Sequence, residues 1–255
     1  MSFKSKVVLV TGGSSGIGAA AAIKFAEEGA KVSMVGRNEK KLQNVSDKCK
    51  KAGSIPLVIN ADVTKDEDVK RIISDTIKHY GRLDILVNNA GTCIPSSILA
   101  PNAVQTFDSL MALNLRSAIY LTNLAAPYIV ESKGNIINIS SVAALRPFED
   151  EVGFAYCTSK AGLDHFTRCV ALELAPKGVR VNSINPGPVR TDIAKRYFTD
   201  ESKEQEMWES AKKMTPLNRI SEPEEIGDLI LYLASEKARS ITGAVYAIDN
   251  GYLMK

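Results

Sequence analysis

Short apolar runs rich in β-branched residues alternate along this chain with longer amphipathic or alanine-rich stretches. The runs cover 7–10, 32–35, 55–59, 83–87, 136–139, 179–184 and 244–248, and the stretches cover 16–29, 38–52, 66–80, 103–131, 155–175, 192–213 and 223–234. This alternation predicts strand followed by helix. Strands that are apolar nearly throughout are typical of sheets covered by helices on both faces. The sequence therefore predicts an α/β fold with a doubly wound parallel sheet of about seven strands, and Pro127 is expected to kink or shorten the helix over 103–131.

Composition favours a globular enzyme or binding protein over several other classes. The chain has 255 residues, 45% of them hydrophobic and 24% charged, and no Pro/Gly/Ser-rich linker divides it, so a single domain over 1–255 is expected. A formal charge of +3 is too small to indicate nucleic acid or an anionic membrane as partner. No leader pattern or membrane-length apolar stretch is visible, and four cysteines without C-x-x-C spacing plus two histidines form no metal-ligand cluster. We expect a reduced, cytoplasmic, metal-free protein.

A glycine-rich segment, Thr11-Gly-Gly-Ser-Ser-Gly-Ile-Gly18, joins the first predicted strand to the first predicted helix. Glycines at this position permit a tight turn and let backbone N–H groups and a helix N-terminus approach a pyrophosphate. The spacing differs from G-x-G-x-x-G, and a turn without a ligand is the alternative. The predicted contacts are Gly12, Ser14, Ser15, Gly16, Ile17 and Gly18.

The second predicted strand ends in Val35-Gly36-Arg37-Asn38, without the acidic residue that binds ribose hydroxyls in NAD sites. The guanidinium of Arg37 instead favours a phosphate at the adenosine 2′ position, with Asn38 beside it. NADP(H) is therefore predicted over NAD(H). An arginine that simply opens a solvated helix face is the alternative.

Tyr156 and Lys160 lie four residues apart in a predicted helix, so their side chains share one face. A cation about 4 Å from a phenol, at an effective dielectric of about 20, is worth roughly 4 kcal/mol and lowers a tyrosine pKa from about 10 toward working pH. Ser141 follows the strand over 136–139, where it could bind a substrate oxygen or only close the strand end. The Tyr-x-x-x-Lys spacing alone is common, so its meaning depends on these neighbours.

Four ordered motifs together resemble the short-chain dehydrogenase/reductase family, in its single-domain branch of about 250 residues, over nearly the whole chain. They are Thr11-Gly-x-x-x-Gly16-x-Gly18, Asn88-Asn-Ala-Gly91, Ser141 with Tyr156-x-x-x-Lys160, and Pro186-Gly187. The resemblance implies a Rossmann-like nucleotide-binding fold. It also implies direct hydride transfer between a nicotinamide and a carbonyl, with Tyr156 as general acid/base.

The resemblance also implies roles for single residues. Asp62 and Val63 would meet the adenine, Asn89, Ala90 and Gly91 the ribose, Pro186, Gly187 and Val189 the nicotinamide, and Thr191 the carboxamide or phosphates. Lys160 would bind the nicotinamide ribose, and Asn114 would be the fourth catalytic residue, holding a water that links Lys160 to solvent. Homotetramers are common in the family, with helices 103–131 and 155–175 at one interface and helix 223–234 with the last strand at another.

Two segments bear on the substrate. The segment 192–217 is the expected lid, and its Tyr197, Phe198, Met207, Trp208 and Met214 slightly favour a hydrophobic carbonyl or alcohol, although ordinary packing explains them equally well. The stretch 146–154 is longer than expected for the family and is predicted to shape substrate choice. Its acids, Glu149, Asp150 and Glu151, are better explained by a solvated turn than by a cation-binding role. The leading hypothesis is an NADP(H)-dependent carbonyl reductase or alcohol dehydrogenase. The alternatives are a 3-oxoacyl-(acyl-carrier-protein) reductase and a non-catalytic cofactor-binding regulatory protein.

Overall fold

A single seven-stranded parallel sheet forms the centre of the protein, with strand order β3-β2-β1-β4-β5-β6-β7. The computed structural model describes residues 2–147, 153–192 and 200–255. The strands are β1 Val7–Thr11, β2 Lys31–Gly36, β3 Leu57–Asn60, β4 Ile85–Asn88, β5 Asn135–Ile139, β6 Arg180–Pro186 and β7 Val245–Ile248.

Helices cover both faces of this sheet. They are α1 Gly16–Glu27, α2 Glu39–Lys51, α3 Asp66–Tyr80, α4 Ala103–Met111, α5 Ser117–Ser132, α6 Gly153–Leu174, α7 Glu201–Lys213 and α8 Pro223–Ala234. Alternate residues of β1 separate the two cores: Val8 and Val10 pack with α1, α2 and α8, whereas Val7 and Leu9 pack with α3, α5 and α6. The predicted α/β fold with a Rossmann-like doubly wound parallel sheet is confirmed.

The strand order reverses between β1 and β4. The chain builds outward from β1 to β3, then returns to add β4 on the other side of β1. In such sheets a crevice opens at the carboxyl ends of the two central strands, because their loops run to opposite faces. The segments after β1, β4, β5 and β6 all reach this edge, and they contain many of the predicted site residues; Arg37 and Asp62 follow β2 and β3 at the same edge.

Two predicted elements differ from the structure. The stretch 103–131 contains α4 and α5 with a turn of π-helix, Ala112–Arg116, between them. Pro127 lies inside α5 and does not shorten it, since the helix continues to Ser132. The third strand begins at Leu57 rather than at Ile55, whose side chain is 74% exposed.

None of the helices in the described ranges is both long enough and apolar enough to cross a membrane.

Candidate active site

A crevice of about 230 Å³ opens at the carboxyl edge of the sheet beside β1 and β4. Fourteen of the residues predicted to bind cofactor or catalyse line it: Gly12, Ser14, Ser15, Gly16, Ile17, Arg37, Asp62, Val63, Asn89, Ala90, Gly91, Tyr156, Lys160 and Thr191. Residues from six separate segments of the sequence thus meet in one place.

Two glycines of the loop after β1 combine a positive φ with a close neighbour. Gly12 has φ +66°, and a Cβ there would lie 2.7 Å from Nδ2 of Asn89; Gly16 has φ +54°, and its Cβ would lie 3.0 Å from Cγ2 of Thr191. α1 begins at Gly16, so the unpaired N–H groups of its first turn open onto the crevice. This geometry fits a pyrophosphate, which requires close backbone approach.

Gly18 has a different part in the loop, because it does not line the crevice. A Cβ at Gly18 would lie 2.3 Å from the carbonyl oxygen of Gly12 and 2.4 Å from Nδ2 of Asn89. The residue therefore lets α1 pack directly under the loop.

Thr11 fixes the glycine loop to the segment after β4. Its Oγ1 accepts hydrogen bonds from the backbone N–H groups of Asn89 and Ala90, both at 3.0 Å. Asn89 Nδ2 donates in return to the carbonyl oxygen of Thr11 at 2.8 Å. These bonds set the width of the crevice between β1 and β4.

Arg37 and Asp62 lie side by side after β2 and β3, at the end of the crevice predicted to meet the adenosine. The Arg37 side chain is 59% exposed, and its Nη1 is 3.6 Å from Oδ2 of Asp62. Burial would raise the pKa of Asp62, but hydrogen bonds from Thr64 and the charge of Arg37 outweigh it and lower the pKa. Asn38 caps α2 by accepting from the N–H of Lys41 at 2.9 Å. An exposed guanidinium is thus available here, with a carboxylate as its neighbour.

Lys160 is almost fully buried, at 5% exposure, on the face of α6 that also carries Tyr156. Its Nζ donates to the carbonyl oxygen of Ile139 at 2.9 Å and lies 5.9 Å from the centroid of the Tyr156 ring. Burial lowers the pKa of Lys160 to about 8, although the charges of Asp164 and Cys93 act in the opposite direction. The ammonium is therefore held at the end of β5, beside the tyrosine.

Ser141 follows β5, and the structure shows the second of the two roles considered for it, closing the strand end; its neighbour Ser140 lines the crevice, whereas Ser141 does not. The Ser141 Oγ accepts from the N–H of Ala143 at 3.1 Å and so caps a short 3₁₀ turn, Val142–Ala144. Because a hydroxyl can accept and donate at once, this bond is compatible with donation to a substrate oxygen. The Ser141 main-chain oxygen accepts from Nδ2 of Asn185 at 2.9 Å.

Asn114 lies in the π-helical turn between α4 and α5, and its side chain joins that turn to two other segments. Its Oδ1 accepts from the N–H of Thr92 at 2.9 Å, while its Nδ2 donates to the carbonyl oxygen of Thr92 at 2.9 Å and to Oγ of Ser159 at 3.1 Å. A Cβ on Gly91 would lie 3.1 Å from Asn114 Oδ1 and 3.4 Å from Lys160 Nζ, so the two side chains meet at that glycine. π-helical turns occur often at functional sites.

Three predicted nicotinamide contacts lie outside the set of residues that line the crevice. Pro186 ends β6. Gly187 approaches the end of β7, and a Cβ added to it would lie 2.8 Å from Cα of Asp249. Val189 is buried and pairs with Ser221 in an isolated parallel bridge. These residues support the course of the chain toward Thr191, which does line the crevice.

Comparison with known proteins agrees with this geometry. A family model described as enoyl-(acyl carrier protein) reductase, of the short-chain dehydrogenase type, matches residues 12–253. The chain belongs to the short-chain dehydrogenase/reductase family.

Members of this oxidoreductase family from several bacteria resemble the chain over nearly its full length. Glucose 1-dehydrogenase from Gluconobacter oxydans is 38% identical over 98% of this chain and 92% of that protein. The 3-oxoacyl-(acyl-carrier-protein) reductase of Thermotoga maritima is 33% identical over the whole of both chains. The crystal structure of L-sorbose reductase from Gluconobacter frateurii, complexed with NADPH and L-sorbose, has a TM-score of 0.92 at 32% identity and covers 100% of this chain and 99% of that one.

The expected lid of this short-chain dehydrogenase/reductase lies partly outside the described residues, since Tyr197 and Phe198 fall in 193–199. Trp208, on α7, packs against Ile220. The guanidinium of Arg190 lies over its ring, with Cζ of Arg190 5.7 Å from the ring centroid. The tryptophan is thus a packing residue and does not line the crevice. Residues 148–152 of the long loop, which include Glu149, Asp150 and Glu151, also lie outside the described residues. Arg146, at the start of that loop, donates a hydrogen bond to the main-chain oxygen of Lys255.

Several residues at the crevice were not singled out from the sequence. They are Val35, Gly36, Ala61, Thr92, Leu113, Ile139, Ser140 and Asp192. Each lies within two residues of a predicted site residue in the sequence, and that proximity is the signal that could have identified them. Within the described ranges, no group of three or more His, Cys, Asp or Glu side chains is placed to hold a metal ion.

Proposed function

We propose that this protein is an NADP(H)-dependent oxidoreductase that reduces a small-molecule carbonyl, or oxidises the corresponding secondary alcohol. The observation that carries the proposal is that Tyr156 and Lys160 line the same crevice as the glycine loop and Arg37. An acid/base group and a dinucleotide cradle in one cleft are what hydride transfer requires.

The bound cofactor would supply or accept the hydride at the carbonyl carbon. In reduction, Tyr156 gives its phenolic proton to the carbonyl oxygen, so that hydride and proton together convert C=O to CH–OH. Ser141 donates a hydrogen bond to the same oxygen and orients it. Lys160 stabilises the phenolate that remains, because a buried ammonium interacts strongly with a nearby anion.

Tyr156→Phe tests the acid/base role, because phenylalanine keeps the ring and removes the proton. We expect kcat to fall by about 10²- to 10⁴-fold, measured by the absorbance of reduced nicotinamide. Tyr128→Phe is the matched control and should remain active, because Tyr128 lies on α5 and packs against the core between the sheet and helices α3, α5 and α6. A Tyr156→Phe enzyme with most of its activity would overturn the mechanism.

The preference for NADP(H) rests on Arg37 as an exposed cation at the end of β2. A 2′-phosphate would compete with Asp62 for the guanidinium and gain charge-assisted hydrogen bonds. Arg37→Asp should lower the ratio of kcat/KM for NADPH to that for NADH roughly tenfold or more. Lys40→Asp makes the same charge change three residues away on the exposed side of α2 and should leave the ratio unchanged. Better turnover of NADH than of NADPH by the wild type would contradict the assignment.

The substrate class is tested by a panel with three arms. Sugars and ketoses are included because two of the relatives named above act on glucose and L-sorbose, and hydrophobic ketones because of the apolar residues in 192–217. A 3-oxoacyl thioester is the third arm, since the Thermotoga maritima relative matches over its whole length. The highest kcat/KM among the arms identifies the class. Absence of turnover in every arm, with NADPH bound, would favour the regulatory alternative.

We further propose that the protein acts as a homotetramer in the cytoplasm. Exposed apolar side chains on the helices expected at the interfaces support this assembly: Val104 on α4, Ile119 on α5, Leu172 on α6 and Tyr232 on α8. Their burial between copies would offset the cost of exposing them to water.

A further inference from the structure

A buried carboxylate lies one helical turn beyond Lys160 on α6. Asp164 is only 3% exposed. Its Oδ1 accepts from Oγ of Ser183 at 2.7 Å, and its Oδ2 accepts from Nδ2 of Asn185 at 2.6 Å. Both donors are neutral, so these bonds satisfy the oxygens without supplying a counter-charge. A buried carboxylate costs stability unless it is also paired with a cation.

Asn185 connects this carboxylate to the catalytic serine. Its Nδ2 also donates to the main-chain oxygen of Ser141 at 2.9 Å, and the asparagine is fully buried on β6. An amide side chain can face a neighbour with either its oxygen or its nitrogen. An ionised carboxylate only accepts hydrogen bonds, so Asp164 fixes the nitrogen of Asn185 toward itself and toward Ser141. The Ser141 backbone is thereby held at the end of β5.

Asp164 also acts on Lys160 through its charge. The two residues are at i and i+4 on α6, and the carboxylate favours the ammonium form that burial disfavours. The other groups that face the ammonium are the Ile139 carbonyl oxygen, the Tyr156 ring and Cys93. Of these, the Tyr156 phenol and Cys93 can ionise to anions, and a negative charge on either would favour the ammonium form as Asp164 does.

We propose that Asp164 is a positioning residue of the active site, which holds the Ser141 backbone through Asn185 and keeps Lys160 in its ammonium form. The proposal rests on the proposed function, because it assigns Asp164 to the same Ser141 and Lys160. It adds a residue that neither touches the substrate nor lines the crevice.

Asp164→Asn tests both parts, since it removes the charge at nearly constant shape. We expect kcat to fall about 10- to 100-fold, because an amide at position 164 can donate as well as accept and no longer fixes the orientation of the Asn185 amide that holds the Ser141 backbone. We also expect the alkaline limb of the pH profile of carbonyl reduction to move to lower pH by about one unit, because the pKa of Lys160, about 8, loses the support of the carboxylate.

Two further variants separate the charge from the packing. Asn185→Ala keeps the carboxylate and removes the bond to Ser141, so kcat should fall while the alkaline limb stays in place. Thr167→Val is the matched control, one turn beyond Asp164 on α6, where its buried Oγ1 accepts from Asn138 Nδ2 at 2.8 Å. It should lose stability without a change in either kinetic readout. If Asp164→Asn shows the same kcat and the same pH profile as the control Thr167→Val, the proposal is overturned.

Two contingencies keep the test decisive. If Asp164→Asn does not fold, Asn185→Ala decides, and wild-type kcat in that variant overturns the anchoring role. If the wild type turns over no substrate, the proposed function has failed, and Lys160 is instead titrated by NMR in protein labelled with ¹³C at lysine Cε, with Lys160→Arg used for assignment. A titration at lower pH in Asp164→Asn than in wild type supports the role of Asp164, and identical titrations refute it.

Discussion

At the scale of single residues, Lys160 places a buried amine at the crevice. The spacing of Tyr156 and Lys160 predicted that both would lie on one helix face, and they do. Sequence spacing could not predict that Nζ would donate to Ile139, because that partner comes from β5 and depends on tertiary packing. Asp164 escaped notice for the same reason: nothing local distinguishes it from an exposed helical acid.

Burial of Lys160 predicts a specific dependence of stability on pH. Its pKa is about 8 in the folded protein and 10.5 in the unfolded chain, so between these values the unfolded chain holds a proton that the folded protein has released. The free energy of unfolding should therefore rise with pH across this window, by up to about 1.4 kcal/mol per pH unit from this residue. Below about pH 8 both states are charged, and the contribution is constant.

Lys160→Met should remove this slope, because methionine fills similar space without a charge. Urea unfolding at several pH values between about 7 and 10, followed by circular dichroism, measures the difference between variant and wild type. Lys48→Met, at an exposed position of α2, is the control and should retain the wild-type slope. Parallel curves for wild type and Lys160→Met would show that Lys160 titrates normally.

At the scale of elements, the order and type of the long strands and helices followed from the sequence, because their apolar periodicity is strong. The π-helical turn at Ala112–Arg116 did not, since it arises where Asn114 bonds to Thr92 and Ser159 from other segments. The start of β3 was also misjudged, because Ile55 continues the apolar run but faces solvent. Local pattern thus predicted elements, and tertiary contacts set their irregularities.

The packing of α1 under the glycine loop predicts a contrast between two glycines. Gly18→Ala would bring a methyl group to 2.3 Å from the Gly12 backbone oxygen, so α1 must move away from the loop. We expect the free energy of unfolding to fall by about 1–3 kcal/mol and the dissociation constant for NADPH to rise, measured by urea unfolding and fluorescence titration.

Gly227→Ala, on α8 where that helix packs against α1, is the matched control. A Cβ added at Gly227 would lie 2.9 Å from Cδ of Lys24, which belongs to the flexible part of a side chain that can turn aside. Because alanine favours helix by up to about 1 kcal/mol over glycine, stability should be unchanged or slightly raised, with normal cofactor affinity. Equal losses in the two variants would mean that space under the loop does not decide the effect.

At the scale of the whole molecule, the sheet brings residues from distant segments to one edge and leaves apolar side chains on the outer helices. α4 and α6 are in contact with one another, and each presents an apolar residue to solvent, Val104 and Leu172. Leu172, in the last turn of α6, is 81% exposed. These positions coincide with the helices that the family resemblance assigns to one interface.

Leu172→Glu tests whether this surface joins copies of the chain. A charge there would have to be buried at an interface without a partner, which costs several kcal/mol, whereas on a free surface it would cost almost nothing. Light scattering should give the mass of four chains for wild type and a smaller mass for Leu172→Glu. Ile55→Glu, which places the same charge on a similarly exposed residue before β3, should leave the mass unchanged. A wild type with the mass of one chain would refute the tetramer, and an unchanged mass in Leu172→Glu would place the interface elsewhere on the molecule.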